Sequence, residues 1–212
     1  MLFFSGRPPV PRLLIALPVL VSLLPLVDRA VGQVPAKADG PFYYPVKVGW
    51  RNDYRVNADG SFFTLVTKVE KQGREWRVTE VSGLPGGDPD PESSRVIAVS
   101  SEGLVVLQEI GGQKPVPPLI PLRLPVGDGL LWERDDATRR TRLVATYAAR
   151  HEAVETPAGR FHAVRVDRTS QWEADGKPKS APRTTWFTPG VGEVKTVMPG
   201  YVRVLTSSGG SR

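Results

Sequence analysis

Both histidines of the 212-residue chain fall within twelve positions, in HEAVETPAGRFHAVRV at 151–166. Two imidazoles beside the carboxylate of Glu155 are the residue types that hold a metal ion or pass a proton. If Pro157 and Ala158 form the tip of a hairpin with symmetric pairing, residue 153 faces 162 and residue 151 faces 164. His151, Glu155, Arg160 and His162 then share one face, with the histidines diagonal neighbours about 7–8 Å apart at Cα. A slip of one residue would separate them. Arg160 works against a metal, because its cation repels one and pairs readily with Glu155. Polar positions near a hairpin tip are the stronger reading. A metal-dependent or hydrolytic enzyme using His151, His162 and Glu155 stands as the alternative.

Other chemistries find less support. The sequence has no GxSxG turn, no P-loop, no HExxH helix and no glycine-rich dinucleotide motif. Asp88-Pro-Asp90-Pro-Glu92 has the acids of a calcium loop, but its alternating prolines cannot wrap an ion as an EF-hand does. The chain contains no cysteine, which removes disulfides, thiolate catalysis and cysteine zinc sites. No catalytic residue, metal ligand or cofactor is therefore assigned. The large aromatics offer another function: Trp50, Tyr54, Phe63, Trp76, Trp132 and Trp186 could line an apolar concavity. Aromatics in a β protein more often fill its core.

These residues must be positioned by strands. SFFTLVTKVEK (61–71), EWRVTEV, GLVVLQEI, TRLVATYAAR, FHAVRVDR, EVKTVMP and YVRVLT alternate apolar and polar positions with a period of two. TRLVATYAAR sets Leu143, Ala145, Tyr147 and Ala149 against Arg142, Thr146 and Arg150. Turn residues punctuate them at NADGS, KQGRE, SSEGL and MPGYV. LPGGDPDPESS (84–94) and the segment 111–129, which carries five prolines, read as longer loops, the second as an edge or crossover rather than a central strand. No twelve-residue stretch shows a helical period, and RDDATRR is too short and polar to bury a face. About ten short antiparallel strands give an all-β fold: a single curved sheet or half-open barrel.

The N-terminus stands apart. MLFFSGRPPVPR is basic, LLIALPVLVSLLPLV (13–27) is uncharged, and Ala30 and Gly32 precede Gln33 as a small-x-small exit. These are the parts of a secretory signal peptide over residues 1–32, leaving residues 33–212 as one domain. The apolar run has 15 residues, broken by Pro18 and Pro25, whereas a span needs about 20. A retained anchor is the rival. Membrane contact is thus expected only through this segment before cleavage, and the mature chain outside the cytoplasm, in the periplasm or secreted. Removing residues 1–32 takes the formal charge from +6 to +4. Basic residues are scattered among acids except at Arg139, Arg140 and Arg142, so no nucleic-acid partner is expected.

Four segments, FYYPVKVGWRNDYRV (42–56), PLIPLRLPVGDGLLW (118–132), VETPAGRFHAVRV (154–166) and TTWFTPGVGEVKTV (184–197), resemble in order and spacing a family of uncharacterised bacterial exported proteins and lipoproteins of the DUF3108 type. Those carry a "YPL..G..W.Y" opening, a "V.TPAGTF.A.RV" hairpin and a "WFAPGVGLVK" closing turn. The match spans most of the mature chain. This sequence departs in placing Trp50 directly after Gly49 and in lacking the lipoprotein cysteine. The resemblance implies an antiparallel half-barrel outside the cytoplasm and brings no catalytic residues. The resulting expectation is a non-catalytic envelope protein, binding an apolar small molecule on the concave face. A structural or assembly factor that meets another envelope protein through a strand edge is the alternative.

Overall fold

The computed structural model describes residues 42–212, except 58–59, 128–129, 137–142 and 211–212. The signal segment and Arg139, Arg140 and Arg142 lie outside the described residues. Twelve strands form one antiparallel sheet: β1 (Trp50–Val56), β2 (Gly60–Gln72), β3 (Glu75–Gly83), β4 (Asp90–Ser100), β5 (Gly103–Gln108), β6 (Leu119–Arg123), β7 (Leu130–Asp136), β8 (Leu143–Thr156), β9 (Gly159–Ala174), β10 (Lys177–Thr188), β11 (Gly192–Met198) and β12 (Tyr201–Gly210). There is no helix among the described residues. The expected all-β barrel-like sheet is present, nearly closed.

The chain meanders from β1 out to β6, passes to the opposite edge at β7, and meanders back until β12 pairs with β1. The connection from Arg123 to Leu130 is short, so the two edge strands cannot stand far apart. Among the described residues no backbone ladder closes this seam. Side chains bridge it instead: Trp132 Nε1 donates to Ile120 O at 3.0 Å, and Arg134 Nε and Nη2 donate to Pro117 O at 3.1 and 2.9 Å. Strand β6, from the proline-rich segment and carrying Pro121, is an edge, as expected of a strand that cannot donate throughout.

Twist alone coils a sheet, and bulges sharpen the curvature. Bulges interrupt the β1–β12, β2–β3, β3–β4, β4–β5, β5–β6 and β10–β11 pairings. The bulge near Thr67 explains why the simple alternation read across SFFTLVTKVEK fails halfway: Phe63, Thr64 and Val66 are buried while Leu65 is only half-buried. Segment 84–94, expected to be loop throughout, instead opens β4 at Asp90–Ser94. There Ser82 N–H donates to Ser93 Oγ at 2.7 Å, so a side chain maintains the link where the ladder is irregular.

The main core gathers Val66, Val78, Ile97, Val99, Leu104, Leu122, Trp132, Ala145, Tyr147, Ala149, Val164, Val166 and Phe187. Ala145, Tyr147 and Ala149 are buried and Arg150 is exposed, as the alternation in TRLVATYAAR requires. The segment before β1 tucks against this core, with Tyr44 buried and Gly190 N–H donating to Phe42 O at 2.8 Å. A smaller cluster forms where the β8–β9 hairpin tip meets β10–β12. Val154, Phe161, Ala163, Trp186, Val191, Val194, Leu205 and Tyr54 pack together, and Ala158 N–H donates to Leu205 O.

Glycine is required where backbones nearly touch. A Cβ on Gly103, whose φ is +129°, would lie 2.0 Å from Leu122 O on the edge strand. Gly103→Ala should therefore cost about 1–3 kcal/mol from backbone strain alone and loosen β6 from β5. Gly73→Ala, in an open turn with nothing within 4 Å, should cost only about 1 kcal/mol. Urea unfolding of both variants checks this ranking; equal losses would contradict it.

Candidate functional site

The inward face of the strands carries charge. Glu80 on β3 pairs directly across from Arg95 on β4. Arg95 Nε donates to Glu80 Oε1 at 2.8 Å, and the buried Tyr44 hydroxyl donates to Glu80 Oε2. Farther round the barrel, Glu193 on β11 contacts three guanidiniums: Arg203, Arg183 at 3.6 Å and Arg95 at 3.7 Å. Thr196 adds hydrogen bonds to this carboxylate and to Arg203. A single carboxylate is thereby shared by β4, β10 and β12.

Burial disfavours the charge on Arg95, but adjacent Glu80 more than offsets that and holds the guanidinium above its ordinary range. The opposite balance holds at Arg203, where burial, reinforced by Arg183 and Arg95, pushes the pKa down. Burial likewise lowers Arg183 and Arg168. Burial and the Glu80 charge raise the Tyr44 phenol well above its usual value, so it remains a donor at neutral pH.

Beside this network the barrel is hollow. A cavity of about 110 Å³ is bounded by Arg95, Arg168, Arg183 and Glu193 together with apolar Val106, Leu119, Val166 and Phe187. A second, of about 260 Å³, opens toward Lys114, Arg134 and Leu143. They share Glu109, Leu119, Tyr147 and Arg168, and so form one cleft at the β6–β7 seam.

The six aromatics singled out in the sequence do not line this cleft. Trp132 stacks on Tyr147 with centroids 4.9 Å apart and an interplanar angle of 9°, sealing the seam from the core side. Trp50 and Trp76 are half-buried against the main core, and Phe63 is buried beneath Arg51. Tyr54 stacks on Phe62 and donates its hydroxyl to Glu193 O at 2.9 Å. Trp186 lies on the face opposite Thr185 and Phe187, where its Nε1 donates to Glu152. Aromatic size marked packing sites. The polar cleft was signalled differently, by charges in the apolar phase of strands: Glu80 after Val78, Arg95 before Ile97 and Val99, Arg168 after Val164 and Val166, Arg203 before Leu205.

The histidine hairpin has the symmetric register, with His151 opposite Val164, Ala153 opposite His162 and Glu155 opposite Arg160. His151, Glu155, Arg160 and His162 thus share a face, and all four are exposed. Among the described residues no group of three or more His, Asp or Glu side chains is arranged to hold a metal ion. Gly192 in the closing turn has φ +91° and would place a Cβ 3.1 Å from the Tyr44 ring, so this motif glycine serves the approach of the segment before β1.

The opposite face of β8–β10 carries its own ion ladder. Arg165 pairs with Glu152 at 3.2 Å and Asp167 at 2.9 Å, and Arg150 reaches both acids. Burial alone would raise the Asp167 carboxyl; Thr184, Arg165 and Arg150 outweigh it and hold the carboxyl below its usual value.

These elements define an open antiparallel barrel with a charged interior. No protein-family model matches the chain, and no curated protein matches it. Two solved structures are similar. A "putative lipoprotein" of Parabacteroides distasonis aligns with a TM-score of 0.55 at 16% identity, covering 81% of this chain and 100% of that one. A "putative exported protein with YmcC-like fold" of Bacteroides fragilis aligns with a TM-score of 0.47 at 15% identity, covering 79% and 99%. The first shares the fold of this chain; identity this low carries the likeness no further.

Two outcomes follow. Arg95→Leu leaves Glu80 buried without its cation and should cost about 3–5 kcal/mol, measured by urea unfolding; a loss below about 1 kcal/mol, the scale of a surface pair, would refute the assignment. Because the folded pKa of Asp167 is depressed, its contribution is full above about pH 4, the usual carboxylate range, and is lost as pH falls through the folded value. Melting temperatures of the wild type and Asp167→Asn should therefore converge below that range. A constant gap down to pH 2 would exclude this linkage.

Proposed function

We propose that the chain is an exported, non-catalytic binding protein that works outside the cytoplasm and takes a small molecule into the seam cleft. The observation that carries this reading is the pair of adjoining cavities at the seam, the outer lined by Lys114 and Arg134 and the inner by Phe187, with Glu109, Leu119, Tyr147 and Arg168 common to both. Concave sites of mixed apolar and polar lining are where small molecules bind. The signal-like N-terminus and the DUF3108-type motifs support the exported setting, as does the fold shared with a protein described as a lipoprotein. Arg95, Arg168 and Arg183 on the inner wall favour an occupant with polar groups over a wholly apolar one.

One observation favours a second reading, an assembly factor acting through a strand edge. Strands β6 and β7 end the sheet without a further backbone partner among the described residues, and Leu131 beside that edge is 65% exposed.

Native mass spectrometry of the protein released gently from host envelopes tests the first reading. A reproducible extra mass is expected, lost on organic extraction and absent from Leu119→Trp, which fills the wall common to both cavities. A bare chain in every preparation, or an adduct indifferent to Leu119→Trp, would overturn it.

A further inference from the structure

Resting on the seam-cleft reading, the geometry points to an oxyanion site at its floor: Arg168 and Arg183 together receive a carboxylate or phosphate group of the bound molecule. These two arginines are direct cross-strand partners in the β9–β10 ladder and project into the same cavity. Like charges placed opposite one another in an antiparallel pair repel, and the repulsion grows where water is thinned.

Their surroundings answer the charge only in part. Arg183 Nε donates to Thr185 Oγ1 at 3.3 Å, and its Nη2 comes no closer than 3.6 Å to the Glu193 oxygen that Arg203 already holds. Arg168 makes no ion pair among the described residues, and its buried Nε has no hydrogen-bond partner. Across the ladder on its other side stands Tyr147, not an acid. Glu109 lines the cleft and its charge favours both guanidiniums from a distance, but it forms no ion pair with either among the described residues. Arg95, Arg168, Arg183 and Arg203 therefore face two buried carboxylates, Glu80 and Glu193, and those are engaged by Arg95 and Arg203.

Planar guanidiniums side by side are suited to bidentate recognition of a carboxylate or phosphate. The inner cavity, about 110 Å³, has room for such a group. Apolar Val106, Leu119, Val166 and Phe187 exclude water around it, which strengthens the attraction. The rest of the ligand would extend past Tyr147 into the larger outer space. The chemistry shared by a carboxylate and a phosphate is what the site recognises; probes of each distinguish them.

The test is calorimetric titration of the full chain in low-chloride buffer with inorganic phosphate, hexanoate and hexanol, repeated on Arg168→Gln and Arg183→Gln. Phosphate or hexanoate should bind, with affinity reduced tenfold or more in each variant, and hexanol should be indifferent to both. Unliganded Arg168→Gln should also melt higher than the wild type, because it relieves the repulsion; a merely structural arginine would make it melt lower. Anion binding unchanged in both variants would identify an adventitious surface ion only and overturn the inference. Hexanol binding like hexanoate, with both variants unaffected, would overturn the anion site while leaving the cleft as a binding site. No heat from any probe, with no rise in melting temperature for Arg168→Gln, would overturn it as well.

Discussion

A carboxylate buried among guanidiniums governs the inside of this barrel. Glu193 lies within ion-pair distance of Arg203, Arg183 and Arg95, which come from three different strands. Charges inside a protein are tolerated only when paired and hydrogen-bonded, and removing one member of such a set strands the others. Glu193 therefore links β11 to β4, β10 and β12. Tyr44 and Glu80 repeat the device on the other wall and bring the segment before β1 into the same network.

The sheet geometry follows from the need to enclose these groups. Twelve strands with bulges at six interfaces coil far enough to bring β6 and β7 together, but they stop short of a backbone ladder. Trp132 and Arg134 span the remaining gap with side chains. A closed ladder would have sealed the interior. Leaving the seam to side chains keeps a route to Arg168 and Arg183, at the expense of two edges that must be protected from other strands. The two inward arginines repel one another across the β9–β10 ladder, a cost of the kind that a binding site can carry.

Much of the architecture was legible in the sequence, for reasons that can be named. Alternation in TRLVATYAAR survives into β8 because β8 and β9 pair for their whole length without a bulge. The TPAG turn fixed the register of that hairpin, and with it the shared face of His151 and His162. Where bulges intervene, the period of two breaks, as it does at Thr67 on β2 and at Val194 on β11. Trp186, expected on the concave or core side, lies on the face opposite Phe187 and is buried in the smaller core cluster beneath the β8–β9 tip. The cleft was harder to read. Its residues are ordinary arginines and glutamates, and only their phase relative to Val78, Ile97, Val166 and Leu205 sets them apart from surface charge. Pairing across strands distant in sequence, such as Arg95 with Glu193, leaves no local trace.

The most direct test of this account is a double-mutant cycle on unfolding free energy with Glu193→Gln, Arg203→Gln and the pair. Each single change should be strongly destabilising, by about 3–5 kcal/mol, because it strands a buried charge. The double variant should be less damaged than the two losses combined, by at least about 1 kcal/mol, the scale of coupling between groups in one network. Losses that add to within about 0.5 kcal/mol, as independent sites do, would contradict the claim that the barrel interior is organised around Glu193.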